Sequence, residues 1–213
     1  MTRTALTRLP EKGSADRSVL DALLDESRVG HVALVADGHP VVLATAIARE
    51  ADRVLIHGST GSRWMRLLAA GASASLAVTA LDGLVLARSA FESSMHYRSA
   101  VLFGSFSAVD DPPEKVRALD VITESLLPGR VAELRRPSTK ELAATLVLAL
   151  PITEWSLKVS DGWPEDPDED VDGPAWAGVV PLRQLTGTAR PAPDLRAGVP
   201  VPASVHGLGR ERG

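Results

Sequence analysis

The pattern of apolar and polar positions predicts short strands separated by tight turns in the first half of the chain. Apolar residues at helical spacing predict a helix over Asp16 to Ser27. Two β-branched runs then flank Asp37-Gly38, a dipeptide typical of a two-residue hairpin turn. The stretch DRVLIHGS predicts a third strand. A helix over Ser62 to Ala70 is expected to follow it and to end at Gly71.

The later part of the chain adds strands and then two helix starts. SASLAVTALDG is predicted to be a strand that ends at Asp82-Gly83, and LVLARSAF and YRSAVLFGSFSAVDD are predicted to be two more. The sequence DPPE at 111–114 predicts a capped helix start with proline in its first turn. Ser138 with Glu141 forms a capping-box signature before LAATLVLAL, which predicts another helix. ITEWSLKVS then returns to a strand pattern.

This order of elements predicts a mainly β fold with α additions, an antiparallel β-barrel with peripheral helices. Alternating βα units are missing, which argues against a doubly wound sheet. We expect a flexible N-terminus over 1–15, a barrel domain over 16–160, and an acidic loop with an ordered WAGVVPL segment over 161–185. Nine of the 15 prolines lie after residue 150, so residues 186–213 are predicted to be a mobile tail.

Composition excludes several classes of chemistry. The chain has no cysteine, which rules out thiolate zinc sites, disulfides and cysteine nucleophiles and fits a cytoplasmic location. A net charge of -4 argues against nucleic-acid binding. No apolar run approaches the roughly 20 residues that a membrane span needs. The five histidines show no metal-binding spacing, so no metal site is predicted.

The stretch IHGSTGSRWMRLL has the composition of an anion site. A helix that starts at Ser62 exposes unpaired backbone N–H groups, which favour an anion. The Ser59 hydroxyl can donate a hydrogen bond, Gly58 and Gly61 let a ligand approach the backbone, and Arg63 adds a permanent charge. The alternative is an ordinary capped joint between a strand and a helix. The spacing is not that of a P-loop, and it leaves both interpretations open.

Three segments in this order resemble one protein family. VLIHGSTGSRWMRLLAAGASASLAV, PVVLATAIARE and HYRSAVLFGSFSAVDDPPEK are similar to the pyridoxamine 5′-phosphate oxidase-like flavoproteins. Their branch of flavin-nucleotide-binding proteins, related to nitroimidazole-resistance proteins, is the nearer match, and SLKVSDGWPEDPDED with WAGVVPL resembles its C-terminal segment. The resemblance covers about residues 20 to 183 and implies an antiparallel split β-barrel homodimer with FMN at the subunit interface.

The resemblance also implies positions for the cofactor. The flavin phosphate would lie against Gly61, Ser62 and Arg63, and the ring would lie along the strand VVLAT, with Trp176 covering it from the partner subunit. The implied cofactor-binding residues are Val42, Leu43, Ala44, Thr45, His57, Gly58, Ser59, Gly61, Ser62, Arg63, Tyr97, Arg98, Ser99 and Trp176.

His57 is the candidate catalytic residue, as a proton donor near pH 7; the alternative is a hydrogen-bonded histidine at a strand end. The chain has Trp64 where many relatives carry lysine, and it lacks the arginine–histidine substrate motif of true pyridoxamine phosphate oxidases. We therefore expect an FMN-dependent oxidoreductase acting on another small molecule. The alternative is a non-catalytic module that stores or senses a flavin or haem, and the fold also admits a deazaflavin or haem as cofactor.

Overall fold

The structure is a computed structural model that describes residues 3–208. The helices are α1 (Arg17–Glu26), α2 (Arg63–Ala69), α3 (Pro112–Leu126), α4 (Thr139–Ala144), α5 (Asp168–Val171) and α6 (Ala203–Leu208), with 3-10 turns at Pro10–Lys12 and Val131–Glu133. The strands are β1 (Val29–Ala36), β2 (His39–Ala46), β3 (Ala48–Glu50), β4 (Arg53–Ser59), β5 (Ser73–Leu86), β6 (Ser94–Ser105), β7 (Ser107–Ala108), β8 (Thr145–Pro151), β9 (Glu154–Ser160) and β10 (Gly178–Pro181).

The strands form two antiparallel sheets. The first sheet has the order β2-β1-β5-β6-β9, and β10 pairs with the second half of β5. The second sheet has the order β3-β4-β8-β7. Within the described residues neither sheet closes on itself, and a few helices pack around the pair. This confirms the predicted antiparallel split barrel with peripheral helices.

Side chains that alternate along the strands build the main core between the sheets. Leu76 of β5 and Ile56 of β4 are fully buried there. One face of α1 adds Leu20, Leu23 and Leu24, which recur at the three- and four-residue spacing of an amphipathic helix. A second apolar cluster lies on the other face of the second sheet, where α3 covers it. The second sheet is therefore buried on both faces, while the outer face of the first sheet is not.

Local signals in the sequence placed several elements correctly. Asp16 caps α1 with its carboxylate, which accepts from the Ser18 N–H. Asp37 and Gly38 have φ values of 52° and 76°, as the two central residues of a type I′ hairpin turn require. Gly71 follows α2 with φ of 86°, which is the left-handed conformation that glycine adopts most easily.

The prediction that a strand ends at Asp82-Gly83 is wrong. β5 continues through these residues to Leu86, and its register against β6 shifts between Leu81 and Gly83. The dipeptide sits in this irregularity because β10 pairs alongside it. A Cβ on Gly83 would lie 3.1 Å from the carbonyl oxygen of Val180, so glycine permits the close approach of β10.

The helix predicted over LAATLVLAL is only partly right. Ser138 and Glu141 do form a capping box, but α4 ends at Ala144 and the rest of the run is β8. The residues from Val147 to Leu150 are all buried, because β8 lies between β4 and β7 with apolar layers on both sides. A continuous apolar run of this kind has no period that separates a buried strand from a buried helix.

Both ends of the described chain form hydrogen bonds with distant segments, the first with the barrel and the second with the 3-10 turn that follows α3. The Ser14 N–H donates to the carbonyl of Leu157 on β9. At the other end the backbone N–H and the hydroxyl of Ser204 donate to the Glu133 carboxylate, at 3.1 and 2.5 Å. Residues 1–2 and 209–213, which belong to the segments predicted to be flexible, lie outside the described residues, and the predicted mobility of both segments stays a prediction. No helix within residues 3–208 is long and apolar enough to cross a membrane.

Candidate functional site

Two open strand edges meet at the split between the sheets. In the described chain β2 pairs only with β1, and β4 pairs with β3 no further than Leu55. β2 and β4 are in contact without forming a ladder. Because β3 follows β2 directly and pairs with β4 up to Leu55, the end of β2 lies beside the part of β4 after Leu55, which includes His57 to Ser59. The structure therefore brings the predicted ring-binding strand, Val42 to Thr45, near the end of β4. Val42 and Ala44 point to the exposed side of β2, while Leu43 and Thr45 face inward.

The turn between β4 and α2 is organised by Ser59. Its Oγ accepts the Gly61 N–H at 3.1 Å, and its carbonyl accepts the Ser62 N–H at 2.9 Å. Ser62 is the N-cap residue of α2, yet its hydroxyl makes no capping hydrogen bond. Gly58 has a packing role, because a Cβ there would lie 3.0 Å from Cγ of Met65. The Ser62 hydroxyl therefore has no hydrogen-bonding role in this turn.

Arg63 lies on the exposed side of this turn. Its guanidinium donates to the carboxylate of Asp37 at the tip of the β1–β2 hairpin. The Arg63 and Asp37 side chains are 62% and 65% exposed. The pair raises the pKa of Arg63 and lowers the pKa of Asp37 through their hydrogen bond and mutual charge. An exposed pair of this kind contributes little to stability, so an anionic ligand can replace Asp37 as the partner of Arg63.

His57 lies on the face of the second sheet that α3 covers. It pairs with Val147 of β8, whose side chain belongs to the α3-side cluster. Its Nδ1 is buried and has no hydrogen-bond partner among residues 3–208. Burial lowers the pKa of His57, so its imidazole is neutral at pH 7. A neutral ring with an unpaired nitrogen is suited to accepting a proton or binding a metal, and less suited to the predicted role of proton donor.

The predicted residues on β6 lie elsewhere in the same chain. β6 is three strand positions from β2 in the first sheet, which at ordinary strand spacing is about 14 Å. Tyr97 and Ser99 belong to the outer face, and Ser99 Oγ is 3.1 Å from Oγ1 of Thr79. Trp176 is 66% exposed and lies against Gly178 at the start of β10. These residues form a second group on the β5–β6–β10 side of the molecule.

Arg98 belongs to this second group but does not point toward a ligand. Its Nε and one terminal nitrogen donate to the Asp82 carboxylate at 2.9 and 2.8 Å, and its other terminal nitrogen donates to Glu26 at 3.0 Å. These bonds raise the pKa of Arg98 and lower that of Asp82. No local pattern points to either partner, since Asp82-Gly83 is typical of a turn and Glu26 lies within the helix predicted over Asp16 to Ser27.

The outer face of the first sheet lies between the two groups. Side chains that alternate with the core positions of β1 and β2 point to this face, and several are large and apolar. Those exposed by 48% to 64% are Val29, Val35, Val42 and Leu81. Small residues such as Ala33 and Ala77 separate them, which leaves the face flat.

Two open antiparallel sheets around one core, with strand edges exposed at the split, define a split-barrel protein. The family model described as pyridoxamine 5′-phosphate oxidase matches residues 16–159. The chain belongs to the pyridoxamine 5′-phosphate oxidase-like family of flavin-binding proteins, as the resemblance of its segments indicated.

Three solved structures illustrate the likeness. The FAD and haem binding protein from Mycobacterium smegmatis is 54% identical, with a TM-score of 0.89 over 92% of this chain and 97% of that one. The flavocytochrome Anf3 from Azotobacter vinelandii is 36% identical, with a TM-score of 0.91 over 98% and 97%. A putative 5-nitroimidazole antibiotic resistance protein from Bacteroides thetaiotaomicron is 19% identical, with a TM-score of 0.60 over 69% and 86%, and shares the fold. A comparison with curated proteins finds no match.

Proposed function

We propose that this protein is a flavin-dependent oxidoreductase that acts on a small molecule. The observation that carries the proposal is the 54% identity, over 92% of the chain, to a protein that binds FAD and haem. The bound flavin would supply hydride or electron transfer, while the protein would supply orientation and electrostatics. This division of labour agrees with a site region that offers strand backbone, small side chains and one exposed guanidinium.

The first group of residues would hold the flavin within one chain. The exposed edge of β2, from Val42 to Thr45, offers backbone donors and acceptors to the polar edge of a flat ring. The turn after β4 offers the Ser62 hydroxyl and the exposed Arg63 guanidinium to a phosphate. That phosphate would replace the Asp37 carboxylate as the partner of Arg63.

A second copy of the chain would complete the site. Tyr97 and Ser99 lie three strands from β2, about 14 Å, which is too far for contact with a flavin ring that lies along β2 of the same chain. The flat, apolar outer face of the first sheet lies between the two groups, and a homodimer formed through this face would bury it. A two-fold contact there would bring the second group of one copy toward β2 of the other.

We propose FAD as the flavin, in place of the FMN that the family resemblance suggested. The relative at 54% identity binds FAD, and identity at this level covers nearly the whole of both chains. The purified chain would be titrated with FAD, FMN and a deazaflavin, with flavin fluorescence as the readout. We expect FAD to bind most tightly. Tighter binding of FMN would show that the flavin is FMN, as the family resemblance suggested.

Haem is the second candidate ligand, supported by the unpaired, buried Nδ1 of His57. A neutral imidazole is a common axial ligand of haem iron, and the low pKa of His57 keeps it in that form. We expect added haem to give a Soret band in the wild-type chain and a shifted or absent band in His57→Ala. The matched control is His206→Ala, which removes an exposed histidine of α6, outside both sheets. An unchanged Soret band in His57→Ala would show that His57 does not bind the haem iron.

Turnover separates the enzyme from a module that only stores or senses its ligand. The flavin-loaded chain would be mixed with NADH or NADPH without oxygen, and then with nitroaromatic and quinone acceptors. We expect bleaching of the flavin absorbance and its recovery with at least one acceptor. A flavin that binds but is neither reduced nor reoxidised would favour the non-catalytic module, and a chain that binds no flavin would overturn the proposal.

A further inference from the structure

A cleft of about 640 Å³ lies at the end of β1 that is farther from the β1–β2 hairpin. The start of β1, the middle of β5 and the chain that follows β10 form its walls. Its volume falls within the range of sites that bind small ligands. The hairpin with Asp37 and Arg63 stands at the opposite end of β1, a strand of eight residues, so the cleft is separate from the proposed flavin phosphate site.

The charges in this cleft are unevenly paired. It contains two carboxylates, Glu26 and Asp82, and both form ion pairs with Arg98. Two other arginines line the cleft, Arg28 and Arg183, and neither guanidinium has a hydrogen bond or ion pair with any residue from 3 to 208. The acidic groups are therefore neutralised while two guanidinium groups remain unpaired, so the cleft has an excess of positive charge. This excess lies in a chain with a net charge of -4.

The same cleft has an apolar wall. Val29, Leu81 and Leu182 line it and are 52%, 48% and 38% exposed. The Leu182 N–H donates to the carbonyl of Asp82 at 2.9 Å, which fixes the chain after β10 against β5 and holds Arg183 at the cleft. Gln184 adds an amide. Two unpaired guanidiniums beside three exposed aliphatic side chains match a ligand that has an anionic group on an apolar or planar body.

We propose that this cleft binds a phosphate or carboxylate group through Arg28 and Arg183. A guanidinium can donate two parallel hydrogen bonds to either group, and Arg98 keeps the neighbouring carboxylates from competing. The anion can belong to a free small molecule or to the adenylate part of an FAD whose flavin phosphate lies at Arg63 of a second copy, because the two phosphates of FAD share one oxygen and cannot span the length of β1 within one chain. The site does not depend on the flavin proposal, because an anion without a flavin would bind there as well.

The test measures four ligands on the purified chain by calorimetry or fluorescence. ADP and benzoate are the free phosphate and carboxylate probes, and FAD is compared with FMN because only FAD has the adenylate. The variants are Arg28→Ala, Arg183→Ala and the double change. Arg190→Ala is the matched control, since Arg190 is also exposed and its guanidinium has no partner in the described part of the chain, but it does not line the cleft. Unchanged thermal unfolding verifies that the variants fold.

We expect the double variant to bind ADP or benzoate at least tenfold more weakly, with no change in the control. A fall in FAD affinity without a fall in FMN affinity would identify the anion as the adenylate phosphate. Loss of ADP or benzoate binding with both flavins unchanged would identify a free small molecule. The proposal is overturned if the double variant binds all four ligands as tightly as the wild-type chain, or if the wild-type chain binds none of them. If the wild-type chain binds neither FAD nor FMN, the flavin proposal is contradicted. The proposal for the cleft is then tested by the binding of ADP and benzoate alone.

Discussion

Arg63 and Arg98 were both predicted to contact the flavin, and the structure gives them opposite surroundings. Arg63 has one carboxylate partner, Asp37, and its side chain is 62% exposed. Arg98 has two carboxylate partners, Asp82 and Glu26, and its side chain is only 25% exposed. The first arginine can exchange its partner for a ligand at little cost, whereas the second holds three segments of the chain together.

The surroundings of Arg63 and Arg98 show that residue type and position in the family do not distinguish an arginine that contacts a ligand from one that stabilises the fold. What separates them is how many groups would lose their partner if the arginine turned away. An exposed single pair contributes little to stability, while a part-buried arginine that satisfies two carboxylates leaves both uncompensated when it is removed.

The largest expected effect is on stability at Arg98. Arg98→Ala removes hydrogen bonds to Asp82 and Glu26 and takes away the cation that pairs with both carboxylates. We expect the free energy of unfolding in denaturant to fall by about 2 kcal/mol, less than for a buried pair, because the side chains of Asp82 and Glu26 are 39% and 44% exposed. Arg98→Lys retains the charge but not the paired geometry, so it should recover part of the loss. A change within the error of the measurement would mean that Arg98 is not structural and would restore its predicted role at the flavin.

The elements that the sequence placed correctly are those with local signals. The hairpin at Asp37-Gly38, the cap at Asp16 and the end of α2 each depend on residues within one turn. Asp82-Gly83 carries the same signal as the first hairpin but lies within β5, because β10 pairs there from almost 100 residues later. A sequence window around Asp82 contains no information about that partner.

In the candidate site, too, the features with local signals were predicted and the contacts between distant positions were not. The resemblance to a family supplied the turn at Gly61 to Arg63 and the strand at Val42 to Thr45, and the structure brings these two near each other. It did not supply Asp37, which lies 26 positions before Arg63, or the two carboxylates that Arg98 holds. Ion pairs between distant positions leave no periodic pattern in one sequence, so they could be found only from the fold.

The second effect is on binding at Arg63. Arg63→Ala removes the one exposed guanidinium beside the proposed phosphate position, and we expect flavin to bind roughly 10- to 100-fold more weakly. Stability should not change measurably, because the lost ion pair is exposed. Titration followed by flavin fluorescence measures the first quantity and denaturant unfolding the second.

Two further variants sharpen the test of Arg63. Arg66→Ala is the matched control, since Arg66 is an exposed arginine in the same helix and its guanidinium has no partner among residues 3–208. Asp37→Asn frees Arg63 from its carboxylate and should tighten flavin binding a few-fold. If Arg63→Ala and Arg66→Ala weaken flavin equally, the effect is one of general charge, and Arg63 is not a direct contact.

The smallest expected effect is a pH dependence of the Arg98 cluster. The hydrogen bonds from Arg98 hold the pKa of Asp82 below its ordinary value of 3.8. A carboxyl with a lowered folded pKa stabilises the fold above its ordinary pKa, and this contribution is lost as the pH falls through the folded value, because the unfolded chain takes up the proton first. The difference in unfolding free energy between the wild-type chain and Asp82→Asn should therefore be constant near neutral pH and become smaller as the pH falls below the ordinary pKa.

Asp37→Asn is the comparison, since the Asp37 carboxylate has a single, exposed partner. Its unfolding free energy should stay closer to that of the wild-type chain at every pH. A difference for Asp82→Asn that stays constant down to about pH 3 would show that Asp82 contributes through shape and not through its charge.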